Sequence, residues 1–149
     1  MINIKDKKAW FFDMDGVLFD SMPHHAQAWE EVMNAHNLPF TVRDCFINEG
    51  RTGYDVIQTI APHISAEELE TIYQEKSARF VALGGAEPIK GVEQVLNHLK
   101  SLNRDLWIVT GSAQQTLMDQ LNTAFPGIFV RQKMINAFEC RIGKPNPEP

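Results

Sequence analysis

The chain has 149 residues, 44% of them hydrophobic, and a formal net charge of −5. That length supports one ordinary core, and the acidic balance argues against a nucleic-acid partner, whose phosphate backbone calls for clustered Lys and Arg. No apolar run approaches membrane-spanning length, and the basic start, residues 1–8, is not followed by a signal-like apolar stretch, so a cytoplasmic protein with no membrane partner is expected.

In chain order, the apolar run Ala9-Trp10-Phe11-Phe12 reads as a buried strand of a parallel sheet. It delivers Asp13-Met14-Asp15-Gly16-Val17-Leu18-Phe19-Asp20 to the sheet's carboxyl end, where open α/β sheets place ligands. Residues two apart share a face there, so Asp13 and Asp15 can address one reacting centre, and their like charges favour a cation. Taken alone, DxDG reads equally as an acidic turn pivoting on Gly16.

Pro23 suits the first turn of a helix that puts Trp29, Val32 and Met33 on one face, with His24 expected as a solvated neighbour of His25. Leu38-Pro39-Phe40 interrupts the pattern, and a short element leads to the loop Asn48-Glu49-Gly50-Arg51-Thr52-Gly53, whose two glycines allow close approach to a partner surface. A further helix carries Val56, Ile57 and Ile60. Ser65 and Glu68 have capping-box spacing, and Leu69, Ile72, Tyr73, Lys76, Phe80 and Leu83 trace a helical stripe with Lys76 expected at its margin.

Gly84-Gly85 closes this helical insertion, and Pro88-Ile89-Lys90-Gly91 is the expected return crossing. A helix with Val95, Leu96, Leu99 and Leu102 precedes a strand at Leu106–Thr110. Gly111-Ser112 opens another helix, with Ser112 and Gln115 at capping-box spacing and Leu117, Met118 and Leu121 facing inward. A third strand is expected at Met134–Ala137, followed by the loop Gly143-Lys144-Pro145-Asn146-Pro147-Glu148-Pro149. Cys45 and Cys140, far apart and without CxxC spacing, are expected to be free thiols.

DxDGVLFDS after four apolar residues, with NEGRTG, VTGS and GKPNPEP in that order, resembles the haloacid dehalogenase-like hydrolase superfamily, within it the β-phosphoglucomutase-like branch that includes an inorganic pyrophosphatase. The resemblance implies an α/β fold: a Rossmann-like parallel core, incomplete at about three strands, from residues 1–20 and 87–149, with a helical cap at residues 21–86. It implies Asp13 as nucleophile forming an aspartyl phosphate, and Asp15 as the acid and base. Mg²⁺ would be bound by the Asp13 carboxylate and the Asp15 carbonyl. Thr110, with the amides of Gly111 and Ser112, would hold the phosphoryl group, Lys144 would offset charge, and His25 and Arg51 would serve the cap hinge and a distal anionic group. On local grounds alone, Ser112 is an ordinary helix cap, Lys144 a solvated loop lysine, His25 a helix-face histidine and Arg51 a surface charge.

Glu49 departs from what a neutral sugar ring requires, and that branch uses a cap glutamate on the metal. The expected reaction is therefore Mg²⁺-dependent hydrolysis of pyrophosphate or another small phosphorylated compound. A mutase acting on a hexose phosphate is the alternative, and an inactive fragment or phosphate-binding module is a third. Complete members continue with a fourth motif that supplies a further metal carboxylate, so the chain is expected to be incomplete, with weak Mg²⁺ affinity and little turnover. Pairing as third, second, first, the strands would leave the aspartate strand at an open edge for another chain to cover.

Overall fold

A computed structural model describes residues 6–112 and 117–149, apart from the side chain of Leu117. It is an α/β structure in which β1 (Ala9–Phe12), β2 (Asp105–Val109) and β3 (Met134–Ile135) form a parallel sheet in the order β1-β2-β3. Ala9 pairs with Asp105 through to Phe12 with Ile108, and Ile108 and Val109 pair with Met134 and Ile135. Parallel neighbours need a crossover, which α5 (Val92–Ser101) supplies between β1 and β2 and α6 (Leu117–Ala124) between β2 and β3. Between β1 and α5 the chain makes α1 (Met22–Ala35), α2 (Val42–Ile47), α3 (Gly53–Ile60) and α4 (Ala66–Ala82). The expected pairing of Ser112 with Gln115 lies outside the described residues.

Two apolar clusters follow from the sequence periodicities. Leu106 and Ile108 on β2 meet Leu96 and Leu99 of α5 and Leu121 and Phe125 at α6, with Met14, Leu18 and Phe19 filling in from the loop after β1. Met22, Ala26, Trp29, Val32 and Met33 of α1 pack against Phe40, Cys45, Val56, Ile57, Leu69 and Ile72. Local chemistry starts the helices. Thr41 and Asp44 form a reciprocal capping box on α2, Thr52 accepts from the Asp55 amide on α3, and Ser65 accepts from the Glu68 amide on α4.

Four expectations are corrected. β1 is not buried on both faces: Trp10 and Phe12 pack on the core, but Phe11 is 64% exposed and stacks on Trp107, because α5 and α6 cover the opposite face. β3 has two residues rather than four, because the Asn136 side chain accepts from the Phe138 amide while Glu139 accepts from the Asn136 amide, curling the chain into a 3₁₀ turn at Ala137–Glu139. His24 is not a solvated neighbour. Half-buried, its Nδ1 lies 2.6 Å from the Gly85 carbonyl, because the first turn of α1 starts beside the returning linker. Lys76 is not marginal to its stripe, as the site below makes clear.

The two linkers joining the helices to the sheet are tied to each other. The Asp20 amide donates to the Glu87 carbonyl at 2.8 Å and the Ile89 amide to the Leu18 carbonyl at 2.9 Å. Gly84 and Gly85 follow α4 with φ of +102° and +71°, angles that favour glycine. Both cysteines are free thiols, Cys45 buried. No helix among the described residues is long and apolar enough to cross a membrane.

Candidate active site

Beyond β1 the chain folds back on itself. The amides of Leu18 and Phe19 both donate to the Met14 carbonyl, at 2.9 and 3.0 Å, and the Gly16 amide donates to the Phe19 carbonyl. Gly16, at φ +71°, makes that reversal, and the buried Met14 and Leu18 anchor it in the core. Asp13 and Asp15 are thereby turned into a cavity of about 80 Å³ that Glu49, Arg51, His25 and Ser112 also line.

Each aspartate has its own support. The Met14 amide donates to Asp13 Oδ1 at 2.8 Å, and Lys144 Nζ, 131 positions away, donates to Oδ2 at 2.7 Å while also reaching the Val109 carbonyl at 3.3 Å. Asp15 Oδ1 accepts from the Ser21 hydroxyl at 2.6 Å and from His25 Nε2 at 3.1 Å. Ser21 is the residue before α1, but its backbone is helical rather than extended and its hydroxyl makes no helix cap, donating to Asp15 instead.

Behind His25 stands Lys76. Its Nζ lies 2.7 Å from His25 Nδ1, 4.9 Å from the Trp29 ring centre and 5.5 Å from that of Phe80, and the residue is 6% exposed. The His25 ring stacks on Phe80 at 4.0 Å. These partners assign the tautomer: Nδ1 accepts from the Lys76 ammonium and Nε2–H donates to Asp15. Burial pushes the Lys76 ammonium down to about 8, against the pull of Asp15. Burial, then the Lys76 charge, holds His25 below the usual histidine range. Burial alone would raise Asp15, but the His25 and Ser21 hydrogen bonds and the nearby charges outweigh it and hold the carboxyl below its ordinary value. A neutral imidazole thus links an ammonium to a carboxylate that stays ionised at neutral pH.

The remaining expected residues sit as follows. Thr110 is buried and does not line the cavity, and its Oγ1 accepts the Ser112 amide at 3.1 Å, so it shapes the Gly111-Ser112 turn, and one of the two amides expected to hold an anion is already engaged. Lys144 lines a neighbouring groove rather than the cavity wall. Glu49 Oε1 comes within 3.0 Å of where a Cβ on Gly16 would stand, so the helical layer's carboxylate lies over the aspartate loop, with Arg51 at the rim. Among the described residues no three His, Cys, Asp or Glu side chains form a metal cage. The available donors are all hard oxygens: Asp13, Glu49, and the Asp15 carbonyl, which accepts no backbone hydrogen bond among the described residues. So sparse an oxygen set suits a cation that keeps several waters, as Mg²⁺ does.

Residues 7–149 match the sequence profile of the haloacid dehalogenase-like hydrolases. The chain belongs to this family. A solved structure of a candidate β-phosphoglucomutase from Bacteroides vulgatus superposes with a TM-score of 0.88 at 41% identity, covering 96% of this chain and 60% of that one. A validoxylamine A 7'-phosphate phosphatase from Streptomyces hygroscopicus subsp. limoneus is 24% identical over 95% of this chain and 67% of its own length. A phosphorylated carbohydrates phosphatase from Thermotoga maritima is 27% identical over 95% and 66% respectively. The chain therefore spans between three fifths and two thirds of these haloacid dehalogenase relatives, and places in the β-phosphoglucomutase-like branch of the family.

Sequence reasoning passed over Ser21 and Lys76. A lysine between Ile72 and Phe80 on an otherwise apolar stripe was the available signal for the second; a serine before a proline-bearing first turn reads as an ordinary cap and gave none for the first.

Proposed function

We propose that this chain carries the reacting residues of a phosphohydrolase that works through an aspartyl phosphate on a compact phosphorylated compound, with pyrophosphate the favoured substrate, and that the helices of residues 21–86 act as its cap. The observation that carries the reading is Asp13 held by Lys144 beneath a glutamate contributed by the helical layer. An Asp13 oxygen attacks phosphorus as the bond to the leaving oxygen breaks, and Asp15, having taken a proton from solvent, protonates that oxygen. Asp15 then removes a proton from water, whose oxygen displaces Asp13 and releases phosphate. Lys144 offsets charge at the nucleophile throughout.

Asp13, the Asp15 carbonyl and Glu49 would hold Mg²⁺, which when bound neutralises phosphate charge that would otherwise repel Asp13. The Bacteroides vulgatus relative supports a second reading, return of the phosphoryl group to a hexose phosphate; the two part at whether water or a sugar hydroxyl attacks the aspartyl phosphate. Among the described residues β1 stands at an edge of the sheet, which supports the expected pairing of that strand with another chain.

Phosphate release from pyrophosphate, glucose phosphates and small phosphate esters, titrated with Mg²⁺, tests the proposal. Faster release from pyrophosphate than from the esters is expected, and conversion among glucose phosphates without release would replace it with the mutase. Glu49→Gln is expected to raise the Mg²⁺ concentration for half-maximal rate about 10–100-fold with pyrophosphate; an unchanged Mg²⁺ dependence removes Glu49 from the metal.

A further inference from the structure

The segment of residues 49–55, the loop before α3 and that helix's first residues, meets the sheet half of the molecule at three positions without side chains. A Cβ on Gly16 would stand 3.0 Å from Glu49 Oε1; one on Gly111, 2.8 Å from the carbonyl oxygens of both Gly50 and Arg51; one on Gly143, 2.6 Å from Thr52 Cγ2 and 3.1 Å from Asp55 Oδ2. Gly16 has a left-handed backbone that favours glycine in any case. Gly111 and Gly143 do not, so space alone calls for glycine there. Thr52 and Asp55 are the capping pair of α3, with the Thr52 hydroxyl donating to Asp55 Oδ2 at 2.6 Å and accepting the Asp55 amide at 3.2 Å. Gly143 is thus packed against the rigid start of a helix. Lys144, the next residue, runs under Gly50, its Cε 3.8 Å from that glycine's Cβ position, to reach Asp13.

We propose that Gly143 is a positioning residue: its bare backbone is the seat on which the α3 cap pair rests, and that seating brings Arg51 and Glu49 over the cavity while Lys144 engages Asp13. The inference rests on the phosphohydrolase reading for its consequence in catalysis but not for its geometry. One docked loop therefore sets both the lysine behind the nucleophile and the helical wall above it.

Hydrogen exchange on the full chain decides it. Gly143→Ala is expected to speed exchange of the amides in residues 49–56 at least fivefold. Thr52→Ser, which keeps the capping oxygen and deletes only the opposed methyl, is expected to match the unaltered chain. Gly143→Ala combined with Thr52→Ser is expected to regain most of the lost protection, since Asp55 has only a few tenths of an ångström to yield. Gly111→Ala meets two backbone oxygens and is expected to open the same amides with no relief from Thr52→Ser. Where phosphate release is measurable, kcat/KM should follow the same order, with about a tenfold loss for Gly143→Ala. Unchanged exchange in Gly143→Ala, or a loss of protection that Thr52→Ser does not relieve, overturns the seat. If the exchange pattern appears and no variant, nor the unaltered chain, releases phosphate, the seat stands and the phosphohydrolase reading alone fails.

Discussion

Asp13→Asn is expected to lower phosphate release by at least on the order of 10³-fold, because the substituted amide cannot attack phosphorus and, among the described residues, Asp13 is the cavity carboxylate that a lysine holds. The replacement is nearly isosteric, and its oxygen can still accept the Met14 amide at the Oδ1 position. Its nitrogen, however, would face Lys144 Nζ at the 2.7 Å site, setting donor against donor, so Lys144 loses its carboxylate partner and part of its anchorage. A modest drop in stability should accompany the loss of turnover. The measurement is phosphate released from pyrophosphate in the presence of Mg²⁺, with mass analysis of acid-quenched chain for a phosphoryl group on the peptide containing Asp13. A rate within tenfold of the unaltered chain, or a phosphoryl group on a peptide lacking Asp13, defeats the nucleophile assignment.

Lys76→Met should move stability and activity in opposite directions. The Lys76 ammonium titrates at about 8 in the folded chain against 10.5 for the free side chain. Between those values the unfolded chain binds the proton more strongly, so stability rises as pH climbs from about 8 to 10.5, and below about 8 the full cost of the buried charge is present. At about 1.4 kcal/mol per pH unit, that cost is on the order of 3 kcal/mol as an upper bound. Methionine keeps an unbranched stem between Trp29 and Phe80 without the charge, so a gain of about 1–3 kcal/mol at pH 7 is expected in urea unfolding, with the rise above pH 8 flattened. His25 loses the donor that fixes its tautomer, and kcat/KM is expected to fall about 10–100-fold as Asp15 loses its ordered partner. A variant both less stable and fully active would show that the ammonium neither strains the fold nor orders His25.

What the residue string disclosed and what it hid have separate physical origins. Gly16 was legible locally, as a reversal needing positive φ, whereas Asp13, Asp15 and Lys144 stood out only through the motif strings that carry the family resemblance, since on local grounds Lys144 is a solvated loop lysine and its contact with Asp13 spans 131 positions. The cavity's inner wall was not legible. Lys76 comes within reach of His25 across 51 positions, a distance in sequence that no periodicity encodes, and a helical stripe gives a lysine the same slot whether it snorkels outward or is enclosed by aromatic rings. Ser21 was hidden because a hydroxyl at a helix start has a commonplace local use, and only the fold shows that Asp15 claims it. β1 was misread for a related reason: an apolar run announces a strand but does not say how many of its faces find a neighbour, and Phe11 stacks on Trp107 while staying 64% exposed.

The hydroxyl of Ser21 ties α1's opening turn to the Asp15 carboxylate. That turn has no side-chain cap, and the Ser21 hydroxyl restrains Asp15 instead. Fraying, ordinarily a harmless event at the tip of a helix, here detaches Ser21 and His25 from the reactive centre together. Warmth can therefore silence the molecule while its sheet is still whole, and the temperature at which it stops working need not be the temperature at which it melts.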